Sequence, residues 1–368
     1  MGVGHRQVAG QLLALICAVS MSVGAQATPV PVTRMPMSRA RMMIWPIKTR
    51  EHVDLWLHGF AMLDDDTTAA IPLFRPGYRD ALTVLKNQAN VLTKLDMNVD
   101  RLREQLHTDQ LLQSAQFIPF YFSSLDEMRS TMQRFVATDG RADSARSPNE
   151  TKLFAVLSRY FPTPRARAWL ALFSTGLWDE DTTVFHAYWT RQQRERGSVI
   201  DSVQALWQNT VRPHLQGFLN NTHQADGDFL LCLPLAGEGR TLTSDVPRAT
   251  VGVTFPEHPA DAADAIYGFA HEIVGTVAQE AIRKNVTPAQ QRSGVATNLE
   301  SPAAVRGGLL LLETFIPDLA DGYARYYLRA AGQTPGAAPR AELEALSPIP
   351  NAVRDAMARQ MEVVHGGT

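Results

Sequence analysis

Apolar residues recur at helical spacing along most of the first 222 residues, as at Val53, Leu57 and Phe60. This spacing predicts helices over residues 51–63, 78–95, 99–112, 124–136 and 149–160, and almost continuously over residues 164–222. The segment 116–124 is aromatic and apolar, and its Pro119 favours an edge strand or an extended link over a central strand.

The pattern changes after Asp226, where short apolar runs replace the helical spacing. Residues 229–233 predict a strand, and residues 240–243 predict a return strand after the turn at 237–239. Residues 249–255 alternate between apolar and small polar side chains, which indicates a third strand. We therefore expect a small antiparallel sheet in this region.

Three helical segments follow the predicted strands, over residues 261–284, 303–329 and 340–364, with a bend at Pro317 in the second. The whole pattern predicts an α+β protein that is predominantly α-helical. We divide it into a leader over residues 1–27, a helical N-terminal region over 28–225 and an α+β core with a C-terminal helix over 226–368.

The leader has the features of a signal peptide. A basic start at His5 and Arg6 precedes an apolar run over residues 12–23, and Ala25 and Ala27 form a small-x-small cleavage site. We therefore expect export to the periplasm or the medium. The mature chain contains no further segment long and apolar enough to span a membrane. It retains one cysteine, Cys232, which we expect to be a small buried apolar residue.

Composition and charge narrow the possible partners. The 368 residues are 45% hydrophobic and 20% charged, which is typical of a globular protein. Because 35 Lys and Arg nearly balance 37 Asp and Glu, the chain lacks the basic excess of a nucleic-acid-binding protein. The acidic runs at residues 64–68 and 179–183 could bind cations, but they lack the glycine and alternation of a calcium loop. We expect them to be helix caps or solvated turns.

The segment 261–284 contains the most informative chemistry. At about 100° per residue, an apolar arc faces away from a small polar arc. The apolar arc comprises Ile266, Phe269, Ala270, Ile273 and Val277, and the polar arc comprises Gly268, His271, Glu272, Gly275, Thr276 and Gln279. The polar arc either faces solvent or forms one wall of a site that its two glycines leave accessible.

At His271 and Glu272 the sequence resembles the zincin metallopeptidases, whose helix carries HExxH. In that family two histidines bind Zn²⁺ and the glutamate accepts a proton from the zinc-bound water. The resemblance implies that His271 is a zinc ligand and Glu272 the catalytic base. Gly275 replaces the second histidine, so the motif here is HExxG. The resemblance also implies that the strand at residues 249–255 aligns the substrate.

In the gluzincin branch of that superfamily the third ligand is a glutamate on the following helix. The resemblance assigns this role to Glu313, which lies 42 residues after His271. Alternatively, Glu313 forms an ion pair with Arg306, Arg325 or Arg329. His258, just after the third strand, could substitute for the missing histidine if its loop folds back.

Two functions remain open from the sequence. The first is an exported, zincin-like metallopeptidase homologue that has lost activity and retains a groove for a peptide or protein. With one ligand missing, we expect it to hold zinc weakly or not at all. The second is a non-enzymatic helical envelope or extracellular interaction protein that never bound metal, as its aromatic-rich helices favour.

Overall fold

A computed structural model of the chain describes residues 45–65, 70–243 and 248–366. The predicted signal peptide therefore lies outside the described residues. No helix among the residues described is both long enough and apolar enough to cross a bilayer.

Four short strands form a single sheet in the order β1-β2-β4-β3. The strands are β1 (Ile47–Lys48), β2 (Gly227–Cys232), β3 (Arg240–Leu242) and β4 (Ala249–Thr254). β2 pairs in parallel with both β1 and β4, and β3 pairs antiparallel with β4. The sheet is thus mixed and not antiparallel throughout. The expected return of β3 onto β2 does not occur because β4 lies between these two strands.

Within the described residues, eight α-helices lie between β1 and residue 196. They are α1 (Glu51–Leu63), α2 (Tyr78–Ala89), α3 (Lys94–Thr108), α4 (Gln110–Ser114), α5 (Leu125–Ala137), α6 (Pro148–Tyr160), α7 (Pro164–Glu180) and α8 (His186–Glu195). The predicted edge strand at residues 116–124 is wrong, because Ala115–Tyr121 forms a 3₁₀ helix. Its Ile118 and Phe120 are buried, so the apolar run packs into a core from a tighter helix.

The remaining α-helices of the described residues follow α8. They are α9 (Gly197–Leu206), α10 (Arg212–Asn221), α11 (Ala262–Ile273), α12 (Gly275–Asn285), α13 (Pro288–Arg292), α14 (Val295–Asn298), α15 (Glu300–Phe315), α16 (Pro317–Ala330), α17 (Pro339–Leu346) and α18 (Asn351–Gly366). Of these, α11 packs against β4. Pro317 occupies the first turn of α16, where its missing N–H is tolerated, so the predicted bend is a boundary between two helices. The predicted helix over residues 340–364 is likewise divided.

Two hydrophobic cores pack on opposite faces of the sheet. Phe229, Leu231 and Val251 face the core formed mainly by helices of the second half of the chain. Leu230 and Cys232 face the core formed by α1 to α7, which confirms that Cys232 is a buried apolar residue. Strands buried on both faces are apolar at successive positions. The fold class is confirmed as α+β and predominantly helical. The boundary at residues 225 and 226 stays a prediction.

Candidate functional site

His271 and Glu272 lie at the C-terminal end of α11, beside the edge of the sheet. The predicted continuous helix over 261–284 is broken at Val274, where α11 ends and α12 begins at Gly275. Glycine favours such a break because it is a poor helix former. Positions 271 and 275 therefore belong to different helices, unlike the two histidines of HExxH.

The predicted apolar arc of this segment is buried, but the opposite arc is only partly exposed. Gly268 packs against Val253 of β4, where a methyl group would lie 3.1 Å from the Val253 Cβ. His271 is also buried, whereas Thr276 and Gln279 are exposed. The polar arc thus begins against the sheet and reaches solvent only along α12.

The His271 ring is held by two neighbours. Its Nδ1 lies 3.0 Å from the Glu272 Oε1, and its plane stacks on the Tyr327 ring with centroids 5.5 Å apart. Its Nε2 is buried and has no hydrogen-bond partner among the described residues. His271 borders a cleft of about 340 Å³ between β3, α12 and α15.

The Glu272 carboxylate joins α11 to the segment around β3. The Gly239 backbone N–H donates to Oε1 at 3.0 Å, and the Thr241 hydroxyl donates to Oε2 at 2.7 Å. Burial by itself raises the pKa of Glu272, but the hydrogen bonds from His271 and Thr241 and the charge of Arg240 outweigh it, so the pKa is lowered. A carboxylate with these partners and a lowered pKa is a weak proton acceptor.

Glu313 does not meet His271. Glu313 lies nine residues beyond Ala304, which borders the cleft, and nine residues are about 2.5 helical turns, so it lies on the opposite face of α15. There its carboxylate pairs with Arg340 at 3.4 Å. An ion pair was the alternative to ligation, but its partner is not any of the three arginines expected. α17 packs on α16 and brings Arg340 instead.

His258 also lies far from His271. It is exposed, and it precedes the first turn of α11, whereas His271 is at the other end of that helix. From Ala262 to His271 the helix rises about 13 Å, so the loop does not fold back as a substitute ligand requires. Although a side chain at Gly275 would find open space, the predicted ligands are not brought together. Zinc binding at His271 stays a prediction.

The cleft beside His271 has a counterpart on the other face of the sheet. The second cleft, of about 490 Å³, is bordered by α3, α4 and the 3₁₀ helix Ala115–Tyr121. Glu238 and Arg240 border both clefts, so the two meet at the outer edge of β3. We call this continuous surface the edge groove. The strand expected to flank a substrate, β4, is inside the sheet and covered by β3.

A second cluster, of potential metal ligands, was not predicted from the sequence. Glu51, Asp181 and His186 each place one potential ligand atom within 4.8 Å of the other two. The acidic run 179–183 was the available signal, but we assigned it to caps or turns. Asp179 does accept a hydrogen bond from the Lys94 backbone N–H at the start of α3.

Comparison with protein-family models, curated proteins and solved structures finds no match for this chain. The resemblance to zincins therefore stays a prediction. The structure shows the edge groove, the hydrogen bonds of Glu272 and the separation of the predicted ligands.

Proposed function

We propose that the protein binds an extended peptide along the outer edge of β3 without hydrolysing it. The observation that carries the proposal is the position of β3, which is the last strand of the sheet and lies between the two clefts of the edge groove. Among the described residues, β3 has no backbone hydrogen bond on the side away from β4. A strand edge with unpaired backbone groups can accept a peptide as an additional strand.

The side chains of β3 show how such a peptide would be recognised. Thr241 points to α11 and contacts Glu272, whereas Arg240 and Leu242 point to the opposite face. Because successive side chains of a strand alternate between faces, a peptide added beside β3 would send alternate side chains into the two clefts. Main-chain hydrogen bonds would supply affinity and the clefts would supply sequence preference.

The charges around the edge groove favour a basic peptide. Carboxylates border both clefts, against one largely buried cation, Arg240, whose pKa is lowered by burial. These carboxylates are Asp64, Asp65, Glu238, Glu272 and Glu300. Lys or Arg side chains entering the clefts would meet this negative field.

The state of the predicted catalytic groups supports binding without turnover. Glu272 is already hydrogen-bonded to Gly239, Thr241 and His271. Glu313 is on the far face of α15, and His258 is at the far end of α11. A catalytic zinc site needs three protein ligands, and this groove does not assemble the set that the resemblance implies.

The test uses the purified full chain and an array of hexapeptides rich in Lys and Arg. The best peptide is then measured by fluorescence anisotropy after N-methylation of alternate backbone nitrogens. Loss of two or three hydrogen bonds of about 1 kcal/mol each should weaken binding by about 30- to 150-fold in one register, while methylation in the other register is tolerated. The peptide should remain intact on incubation with zinc.

A matched pair of variants locates the binding surface. Gly275 and Gly197 are both first residues of a helix, and at each a side chain would enter open space, but only Gly275 borders the edge groove. Gly275→Tyr should weaken peptide binding, and Gly197→Tyr should leave it unchanged. Equal effects of both variants, equal sensitivity of both methylation registers, or cleavage of the peptide would each overturn the proposal.

A further inference from the structure

A buried carboxylate and an exposed histidine lie close together where α7 passes into α8. Between these helices, Asp181–Phe185 forms one π-helical turn, and the His186 backbone N–H donates to the Asp181 carbonyl oxygen. In an α-helix, residues five apart differ by about 140° around the axis and face different directions. The wider π turn places Asp181 and His186 on the same side, and such turns frequently occur at functional sites.

The first residue of α1 completes the cluster from a distant part of the chain. The Glu51 Oε1 lies 2.5 Å from the His186 Nδ1, and Asp181 contributes a carboxylate oxygen within 4.8 Å of both side chains. The Glu51 side chain is largely buried, whereas His186 is 64% exposed. The three side chains therefore converge at a point that solvent can reach from the histidine side.

Asp181 supplies an independent reason to expect a ligand. Only 6% of its surface is exposed, and its Oδ1 has no hydrogen-bond partner among the described residues. A buried carboxylate oxygen without a donor is strongly unfavourable. Arg129, whose charge acts on Asp181, lies over the Trp178 ring and donates to the Trp178 carbonyl oxygen. A bound cation would satisfy the Asp181 oxygen directly.

We infer that Glu51, Asp181 and His186 form a binding site for a divalent transition-metal ion. One imidazole nitrogen and two carboxylate oxygens are a donor set that suits Zn²⁺, and hard ions such as Mg²⁺ and Ca²⁺ favour oxygen ligands alone. Three protein ligands leave coordination positions for water. The site is separate from the edge groove and does not depend on the peptide proposal.

The test is zinc titration of the purified full chain, measured by calorimetry and by metal analysis after gel filtration. The expected result is one zinc per chain, with little response to Mg²⁺. Each of Glu51→Gln, Asp181→Asn and His186→Ala should weaken zinc binding by at least about 100-fold, the upper end of what loss of an outer-shell partner costs. Asp181→Asn keeps the side-chain shape and removes the buried charge, so it should fold.

Two control variants make the result specific. His107 is also exposed and paired with one carboxylate, the Asp65 Oδ1 at 2.8 Å, but it is not part of the cluster. His107→Ala should therefore leave zinc binding unchanged. His271→Ala tests the site implied by the HExxG motif. Absence of saturable zinc binding, or zinc that survives all three cluster variants, or zinc lost with His107 or His271 instead, would overturn the inference.

Discussion

Two buried carboxylates near α1 show how strongly a residue's partners determine its charge. Glu180 is fully buried but lies 3.1 Å from the His58 Nε2 and 2.5 Å from the Lys86 Nζ. Burial alone would raise the pKa of Glu180, yet these partners lower it to about 2. Asp54 is equally buried and accepts only neutral hydrogen bonds, from the Trp189 Nε1 and the Leu233 N–H, each at 2.9 Å. Burial therefore raises the pKa of Asp54 to about 7.

This raised pKa makes stability depend on pH. The folded chain keeps the Asp54 proton up to about pH 7, whereas the unfolded chain releases it near pH 4. The folded state binds more protons in that window, so the free energy of unfolding falls as the pH rises through it. Between pH 5 and 8 the free energy of unfolding of the wild type should fall by about 2.5 kcal/mol through this group. The Asp54→Asn variant should not show this fall. Urea unfolding at several pH values measures the difference.

Asp226→Asn provides the control for this experiment. Asp226 is 50% exposed and pairs with Arg248 at 2.8 Å, so its substitution should leave the shape of the pH dependence unchanged. If wild type and Asp54→Asn gave parallel curves of stability against pH, the raised pKa would be refuted.

At the scale of elements, the short strand β3 depends on a side chain from α11. β3 has three residues and pairs only with β4 in the part of the chain described here. Glu272 binds the Gly239 backbone just before β3 and the Thr241 hydroxyl within it. The glutamate that the HExxG motif predicts as a catalytic base is thus hydrogen-bonded to the strand edge.

Glu272→Gln should destabilise β3. A glutamine has one acceptor oxygen in place of two, so at least one of the partly buried donors loses its partner, at a cost of about 1 kcal/mol. Backbone amide hydrogen exchange at residues 239–242 should be faster in Glu272→Gln than in the wild type. Because the pKa of Glu272 is lowered, the wild-type contact should also weaken as the pH falls through that pKa.

Glu280→Gln makes the same chemical change on the exposed side of α12, where Glu280 pairs with Arg283 and Lys284. Such surface pairs contribute little, so exchange at residues 239–242 should stay as in the wild type. Identical exchange in the two variants would show that Glu272 does not hold the strand.

At the scale of the whole molecule, the sheet is shared by two cores. Leu230 and Leu231 are neighbours on β2, both with no exposed surface, and they face opposite cores. Among the described residues, neither helical layer has a sheet of its own. The two layers should therefore unfold together, although the sequence suggested a helical region before residue 226 and a separate core after it.

Leu230→Ala and Leu231→Ala test this coupling. Each should lower stability by about 2–5 kcal/mol, because each leaves a cavity in a buried site. Both should shift one common transition, observed as coincident curves by tryptophan fluorescence and circular dichroism. Two separate transitions, each sensitive to only one of the substitutions, would show that the layers unfold independently.

The sequence alone determined the elements whose side-chain pattern is local. Helix α1 begins and ends at the predicted residues, and β2 and β4 lie where the apolar and alternating runs placed them. Periodicity suffices there because the same face is buried along the whole element. It failed at residues 116–124, where apolar side chains enter a core from a 3₁₀ helix, and at Val274, where a helix is broken.

Tertiary structure decided which side chains meet. The separation of His271 from Glu313 depends on which face of α15 turns towards α17, and the strand order depends on β4 entering between β2 and β3. Asp181 and His186 converge only because one turn is π-helical. Glu51, the first residue of α1, lies beside them. Local propensity specifies where an element lies along the chain. The contacts between elements depend on packing across long sequence separations, which no local pattern records.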